Sequence, residues 1–187
     1  TKVTKVLISH WHGDHVLGLP GLIQSLEKHH YHNVLEIYGP KGSKKYFENM
    51  FKGFNYKIGI DYTIKEINKK DFFENEDFKL EALKLNHVIP CLGYSFIEKD
   101  KRKINMNYLK KFGLKSHPIL KKLQQGKDIT WEKKKIKVSQ ATKIKEGKKI
   151  TFITDTGLCP NIQKLVKNSD LMITEATYKD ELEEKAK

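Results

Sequence analysis

Apolar and β-branched residues run from Val3 to Ile8, which predicts a buried strand. Past a polar cluster, Val16, Leu17, Leu19, Leu22, Ile23 and Leu26 recur at helical spacing. Val34 to Tyr38 reads as a short strand closed by Gly39-Pro40, and Ser43 stands where it can cap a helix running through Phe51. Strands are predicted over 56–60, 62–67, 78–85 and 93–97, the third with polar alternation. Residues 99–149 break the rhythm, being Lys-dense with few long apolar runs. A strand at 150–154, a helix at 161–167, a strand at 171–174 and a charged helix from Lys179 onward complete the pattern. There is no internal repeat. The arrangement is a layered α/β chain with an inserted basic arm.

The polar cluster is the unusual feature. "LISHWHGDHVLGLPGL" places three histidines and an aspartate within six positions, directly after an apolar strand. The spacing is His10-x-His12-x-Asp14-His15, and imidazole and carboxylate are ligands suited to zinc. A loop leaving the strand can turn His10 and His12 toward one ion. Asp14 and His15, at the start of the next helix, then point at a second, with Gly13 allowing the bend. Two ions need further ligands from other strand ends. His87 ends "LEALKLNH" and Asp155 ends "KITFITD", both after apolar strands, at the edge where α/β sites assemble. Taken alone, His87 is an ordinary polar terminus and Asp155 an ordinary turn residue; the cluster makes them expected ligands. His29, His30, His32 and His117 lack such placement and are expected at the surface.

Composition adds a partner. The 187 residues suit one domain with a real core. Lys and Arg number 36 against 23 Asp and Glu, a net charge of +13 carried almost entirely by Lys. Such an excess predicts an acidic partner such as nucleic acid, with a Lys-rich proteome as the plain alternative. Within residues 99–137, Lys101, Arg102, Lys103, Lys110, Lys111, Lys121 and Lys122 interleave with Leu109, Phe112, Leu114, Leu120 and Leu123. A small two-helix module with a basic outer face can grip phosphates; a solvated loop is the plain alternative. Cys91 and Cys159 form no pairing motif, and no apolar run of about 18 residues or signal peptide is present, so a reducing cytoplasm is expected. The chain opens at Thr1 on a complete-looking strand and is expected to be a fragment.

"SHWHGDHVLGLPGLI", "YGPKG", "HVIPCLGYSF", "FITDTG" and "TEATY" occur in this order over residues 7–178. Together they resemble the ribonuclease Z (tRNase Z) family of the metallo-β-lactamase superfamily. H-x-H-x-D-H alone specifies only the superfamily; Gly18–Leu22 and Glu175-Ala176-Thr177 make the likeness closer. The resemblance implies the metallo-β-lactamase fold, an αββα sandwich of two mixed sheets with outer helices, here truncated at both ends. The family has strands before the first motif and a last metal-binding histidine after the segment matching Glu175-Ala176-Thr177, and both are expected to be missing from this stretch. His117-Pro118 stands where family arms often carry Gly-Pro.

The resemblance further implies a zinc-dependent endoribonuclease with two ions. It would remove the 3′ trailer from tRNA precursors by metal-hydroxide attack, leaving a tRNA 3′-OH and a 5′-phosphorylated trailer. His10, His12 and His87 would serve one ion, Asp14 and His15 the other, and Asp155 both. Asp14 would also orient the attacking group and take its proton, and Glu175 would help supply a proton to the leaving oxygen. A helix-capping Glu175 is the plain alternative. Residues 99–137 resemble the family's tRNA-binding arm, and a cytoplasmic homodimer is expected. Two other functions stand beside this one. One is a hydrolase of the same fold acting on a small phosphodiester or thioester. The other is a zinc-containing RNA-binding subunit without catalysis.

Overall fold

The structure, a computed structural model, describes residues 3–176; the charged helix expected from Lys179 onward lies outside the described residues. In chain order the elements are β1 (Lys5–Leu7), α1 (Gly13–Val16), α2 (Gly18–Lys28), β2 (Leu35–Gly39), α3 (Ser43–Lys52), β3 (Tyr62–Glu66), β4 (Asp71–Glu74), β5 (Phe78–Lys84) and β6 (Leu92–Glu98). Then follow β7 (Lys101–Ile104), α4 (Met106–Lys110), α5 (Leu120–Gln124), β8 (Ile129–Trp131), β9 (Lys134–Ile136), α6 (Val138–Ala141) and β10 (Thr142–Lys145). β11 (Lys149–Ile153), α7 (Pro160–Val166) and β12 (Leu171–Thr174) close the described chain. Residues 98–148 form one compact unit and the remainder another. No described helix is long and apolar enough to cross a membrane.

The larger unit is built on two sheets. β1-β2-β3 is parallel throughout. The second sheet, β12-β11-β6-β5-β4, is mixed: β12 runs parallel to β11, and β11 runs antiparallel to β6. Alternation along the strands sets the layers. Leu35 and Ile37 are fully buried against Ile23 and Leu26 of α2 and Phe47 of α3. Their neighbour Tyr38 points the other way and packs its ring 5.0 Å from Phe72 of β4. Leu7 packs on Ala82, Leu92 and Tyr94 of the second sheet. The Tyr94 hydroxyl donates to the Ile8 carbonyl at 2.6 Å, a buried bond between the sheets.

The outer face of the second sheet receives α7. A Cβ on Gly93 would stand 2.9 Å from both Ile153 Cδ1 and Leu165 Cδ2, so the missing side chain is what admits the helix. Beside it, the buried Ser95 and Thr151 hydroxyls lie 2.7 Å apart and both reach the Leu165 carbonyl. Helices, sheet, sheet and helix thus stack as αββα.

Three local expectations are corrected, and one strand is added. Leu17 is 68% exposed, because Val16, Leu19, Ile23 and Leu26 complete the buried stripe and Leu17 joins α1 to α2 on the other side. Ser43 is the first residue of α3, not its cap. Its hydroxyl donates to the Pro40 carbonyl at 2.7 Å and accepts from Trp11 Nε1 at 2.8 Å, while Gly42, at φ 98°, turns the chain into the helix. Residues 56–60 form no strand, since β3 begins at Tyr62 and takes the place beside β2; Tyr56, Ile58 and Ile60 pack on the α2–α3 core instead. β4 was not anticipated, its Asp71 and Glu74 masking the two phenylalanines between them.

The smaller unit is richer than two helices. It has its own core of Leu109, Leu114, Leu123, Ile129, Ile136 and Ala141, and four short strands besides α4 and α5. β7 pairs with β10, and β8 with β9, both antiparallel. Lysines within β7, β9 and β10, and the shortness of all four strands, hide them from a search for apolar runs. Replacing Tyr94 by Phe should lower stability by about 1–3 kcal/mol, because the Ile8 carbonyl stays buried without its donor. Urea denaturation measures this; no change would show the bond between the sheets to be dispensable.

Candidate metal centre

The site forms where strands of both sheets end. β1 stops at Leu7, but the next residues stay clamped: Ile8 N–H donates to the Tyr38 carbonyl at 2.8 Å, and Leu92 N–H donates to the Ser9 carbonyl at 2.9 Å. This delivers His10 to a wholly buried position. His12 stands extended just before α1, at φ −75° and ψ 151°, and His15 lies within that helix. His87 follows β5 and Asp155 follows β11. Their two loops are tied together: Gly157 N–H donates to the Asn86 carbonyl at 2.7 Å, and Asn86 N–H to Thr156 Oγ1 at 3.1 Å.

One donor atom from each of His10, His12, His87 and Asp155 falls within 4.8 Å of the others. His87 Nε2 lies 3.2 Å from His12 Nδ1, and His10 Nε2 lies 3.8 Å from Asp155 Oδ2. A second group, within the same span, joins His15, Asp155 and Glu175. His15 Nε2 is 3.3 Å from Asp155 Oδ1, so Asp155 belongs to both groups. Asp14 is brought to neither. Its carboxylate is 77% exposed at the solvent side of α1, 3.3 Å from His15 Nε2. Glu175, expected as a proton carrier or a helix cap, lies close enough to His15 and Asp155 to share an ion; its place just after β12, which pairs with the strand that Asp155 follows, is the signal for that role. The buckle through Asn86 and Thr156 had no signal beyond adjacency to His87 and Asp155.

The donor set fits a divalent cation. His10 Nε2 and Asp155 Oδ1 are buried with no hydrogen-bond partner among the described residues, although His15 stands near the latter. Imidazole nitrogens and a carboxylate oxygen are what zinc accepts. Burial pushes the His10 imidazole down to about 4, with His15, His87 and His12 adding to the effect and Asp155 opposing it. At neutral pH the ring therefore keeps a lone pair for a metal. A cavity of about 520 Å³ beside the cluster is lined by His87, Asp155, Thr156, Leu158, Thr174 and Glu175.

In the smaller unit, Lys101, Lys103, Lys110, Lys111, Lys121 and Lys122 are exposed. Arg102 is half-buried, and its guanidinium donates to Thr142 Oγ1 at 3.0 Å, bracing β7 against β10. His29, His30, His32 and His117 are exposed.

Residues 1–95 match the model of the metallo-beta-lactamase superfamily. The chain belongs to the metallo-β-lactamase superfamily. Within it, the chain is 38% identical to the ribonuclease Z of Nanoarchaeum equitans, over 100% of this chain and 58% of that protein. It is 34% identical to the ribonuclease Z of Pyrococcus horikoshii, over 98% of this chain and 61% of that one. It thus spans 58% and 61% of the lengths of these relatives. The fold is shared with the short form of human tRNase Z, at 23% identity and a TM-score of 0.63 over 97% of this chain and 61% of that one. Superfamily membership and the His/Asp groups together mark a site for a divalent metal.

The burial of His10 has a pH signature. In the unfolded chain the ring takes a proton below about 6.5, whereas in the folded, metal-free protein it does so only near 4. Its contribution is full above about 6.5 and is lost as pH falls to about 4. The chelator-treated protein should lose roughly 3 kcal/mol through His10 over that window. Urea titrations at several pH values should show a shallower decline for His10→Gln; equal declines would place the burden elsewhere.

Proposed function

We propose that the chain is the metal-binding portion of a zinc-dependent endoribonuclease that removes the 3′ trailer from tRNA precursors. The observation that carries this reading is the pair of His/Asp groups sharing Asp155, in a chain whose relatives are named ribonuclease Z. His10, His12, His87 and Asp155 would hold one zinc ion. His15 and Asp155 would hold the second, with Asp14 or Glu175 beside them. Zinc supplies Lewis acidity that relieves phosphate charge and makes water easier to deprotonate.

The protein's own groups complete the chemistry. Asp14, exposed and next to His15 Nε2, accepts the proton of the attacking water. Glu175, lining the cavity with Thr174, donates a proton to the ribose O3′ as it leaves. The tRNA would then carry a 3′-OH and the trailer a 5′-phosphate. The exposed lysines of residues 98–148 would bind tRNA phosphates. Structured RNA suits such binding, because its deep major groove hides base identity. A homodimer and a reducing cytoplasm belong to the same proposal, the latter resting on two unpaired cysteines.

The full-length protein, supplied with zinc, should cut a tRNA precursor to a 3′-OH product and lose that activity on chelation. Hydrolysis of small diesters without precursor cleavage would instead favour another hydrolase of the fold; RNA binding without cleavage would favour a non-catalytic subunit. Asp14→Ala should lower kcat by roughly 100-fold or more while leaving precursor affinity nearly intact. A metal-loaded variant with wild-type kcat would remove Asp14 from the mechanism.

Deleting residues 101–130 should weaken precursor binding and spare small-diester hydrolysis. For every phosphate that the shortened protein no longer neutralises, the log–log salt dependence of RNA affinity should flatten by roughly 0.7–0.9. Affinity measured across several salt concentrations checks this, and an unchanged slope would deny the smaller unit its role.

A further inference from the structure

His10 is the most buried of the proposed ligands, and its two ring nitrogens have different surroundings. Nε2 meets no hydrogen-bond partner among the described residues and stands 3.8 Å from Asp155 Oδ2, facing the other ligands. Nδ1 lies 3.2 Å from Ser9 Oγ and 3.9 Å from Cys91 Sγ. A neutral imidazole carries one N–H and one lone pair, and the hydrogen bond at one nitrogen decides which is which.

We propose that Ser9 and Cys91 are positioning residues that hold His10 in its Nδ1–H tautomer and thereby leave Nε2 as its metal-binding atom. The inference rests on the metal-binding reading above. Ser9 Oγ is the stronger acceptor for Nδ1–H, and thiol sulfur the weaker. The Cys91 S–H donates to the Asp155 carbonyl at 3.5 Å, which leaves a sulfur lone pair for the imidazole. One side chain therefore touches the segments that carry two proposed ligands, His10 and Asp155. Both positioning residues are themselves held: the Ser9 carbonyl accepts from Leu92 N–H at 2.9 Å, and the Cys91 carbonyl accepts from Leu85 N–H at 3.0 Å. With the proton on Nε2 instead, an N–H would aim at the cation, Ser9 would have to turn its hydroxyl round to donate, and the Cys91 sulfur, its S–H already given to the Asp155 carbonyl, would face a bare Nδ1. Partners of this kind typically change metal affinity by roughly 10- to 100-fold.

The test uses the full-length protein and zinc alone. Zinc affinity is measured by competition with a chromophoric chelator, and the His10 tautomer by nitrogen–proton correlation spectra of the metal-free protein. Wild type should show the Nδ1–H form. Ser9→Ala should weaken zinc binding roughly 10-fold or more and raise the Nε2–H population, and adding Cys91→Ala should deepen both effects. Ser9→Thr, which keeps the hydroxyl, should restore both. A wild-type protein that takes up no zinc overturns the metal reading and this proposal with it. A wild-type protein that binds zinc but shows His10 as Nε2–H overturns this proposal alone, whether or not the variants fold. So does a folded Ser9→Ala variant with wild-type affinity and tautomer.

Discussion

The interaction on which the rest depends is the meeting of His10, His12, His87 and Asp155 around one point, with the Nε2 of the buried His10 lacking any hydrogen-bond partner among the described residues. Burying a polar nitrogen without a partner costs free energy, so the fold must hold this arrangement against its own preference until a cation satisfies it. Three sources of rigidity do so. The Tyr94 hydroxyl bonds to the Ile8 carbonyl across the two sheets, and Leu92 clamps Ser9 from the second sheet. The loops bearing His87 and Asp155 are stitched to each other through Asn86, Thr156 and Gly157. Each ligand leaves the end of an element rather than its middle, where the backbone is free to aim a side chain while its hydrogen-bonded neighbours stay fixed.

The αββα layering follows from the same requirement. Two sheets packed face to face bring the ends of β1, β5 and β11 close together, which residues 10, 87 and 155 need and which no local segment can achieve. Helices α2 and α3 cover one sheet and α7 the other, and the absence of a side chain at Gly93 lets α7 sit close enough to close the second core. The charge is arranged differently. Residues 98–148 have a separate apolar core and carry many exposed lysines, so their surface can be basic without straining the core that supports the metal ligands.

Much of this was legible in the residues because it depends on local pattern. His10-x-His12-x-Asp14-His15 after an apolar run announces a metal cluster, and His87 and Asp155 are visible as polar ends of apolar strands. What escaped depends on partners distant in sequence. Ser43 has the chemistry of a helix cap, yet Trp11 and Pro40 claim its hydroxyl. Residues 56–60 have strand composition, but the place beside β2 is taken by β3. β4 hides behind Asp71 and Glu74, and the strands of the smaller unit are only three or four residues long, three of them interrupted by lysines. Asp14 and Glu175 are the instructive pair. The motif draws attention to Asp14, which is exposed on α1 yet lies 3.3 Å from His15 Nε2; Glu175 has an unremarkable context and comes near His15 because β12 pairs with β11.

The central claim is that this cluster is a metal site built from nitrogen and oxygen donors. A crystal of the full-length protein grown with zinc, measured on both sides of the zinc absorption edge, tests it most directly. An anomalous peak is expected among His10, His12, His87 and Asp155, with nitrogen and oxygen ligands at about 2.0–2.2 Å. Zinc bound through the nearby Cys91 sulfur at about 2.3 Å, or no anomalous density at the cluster, would contradict it.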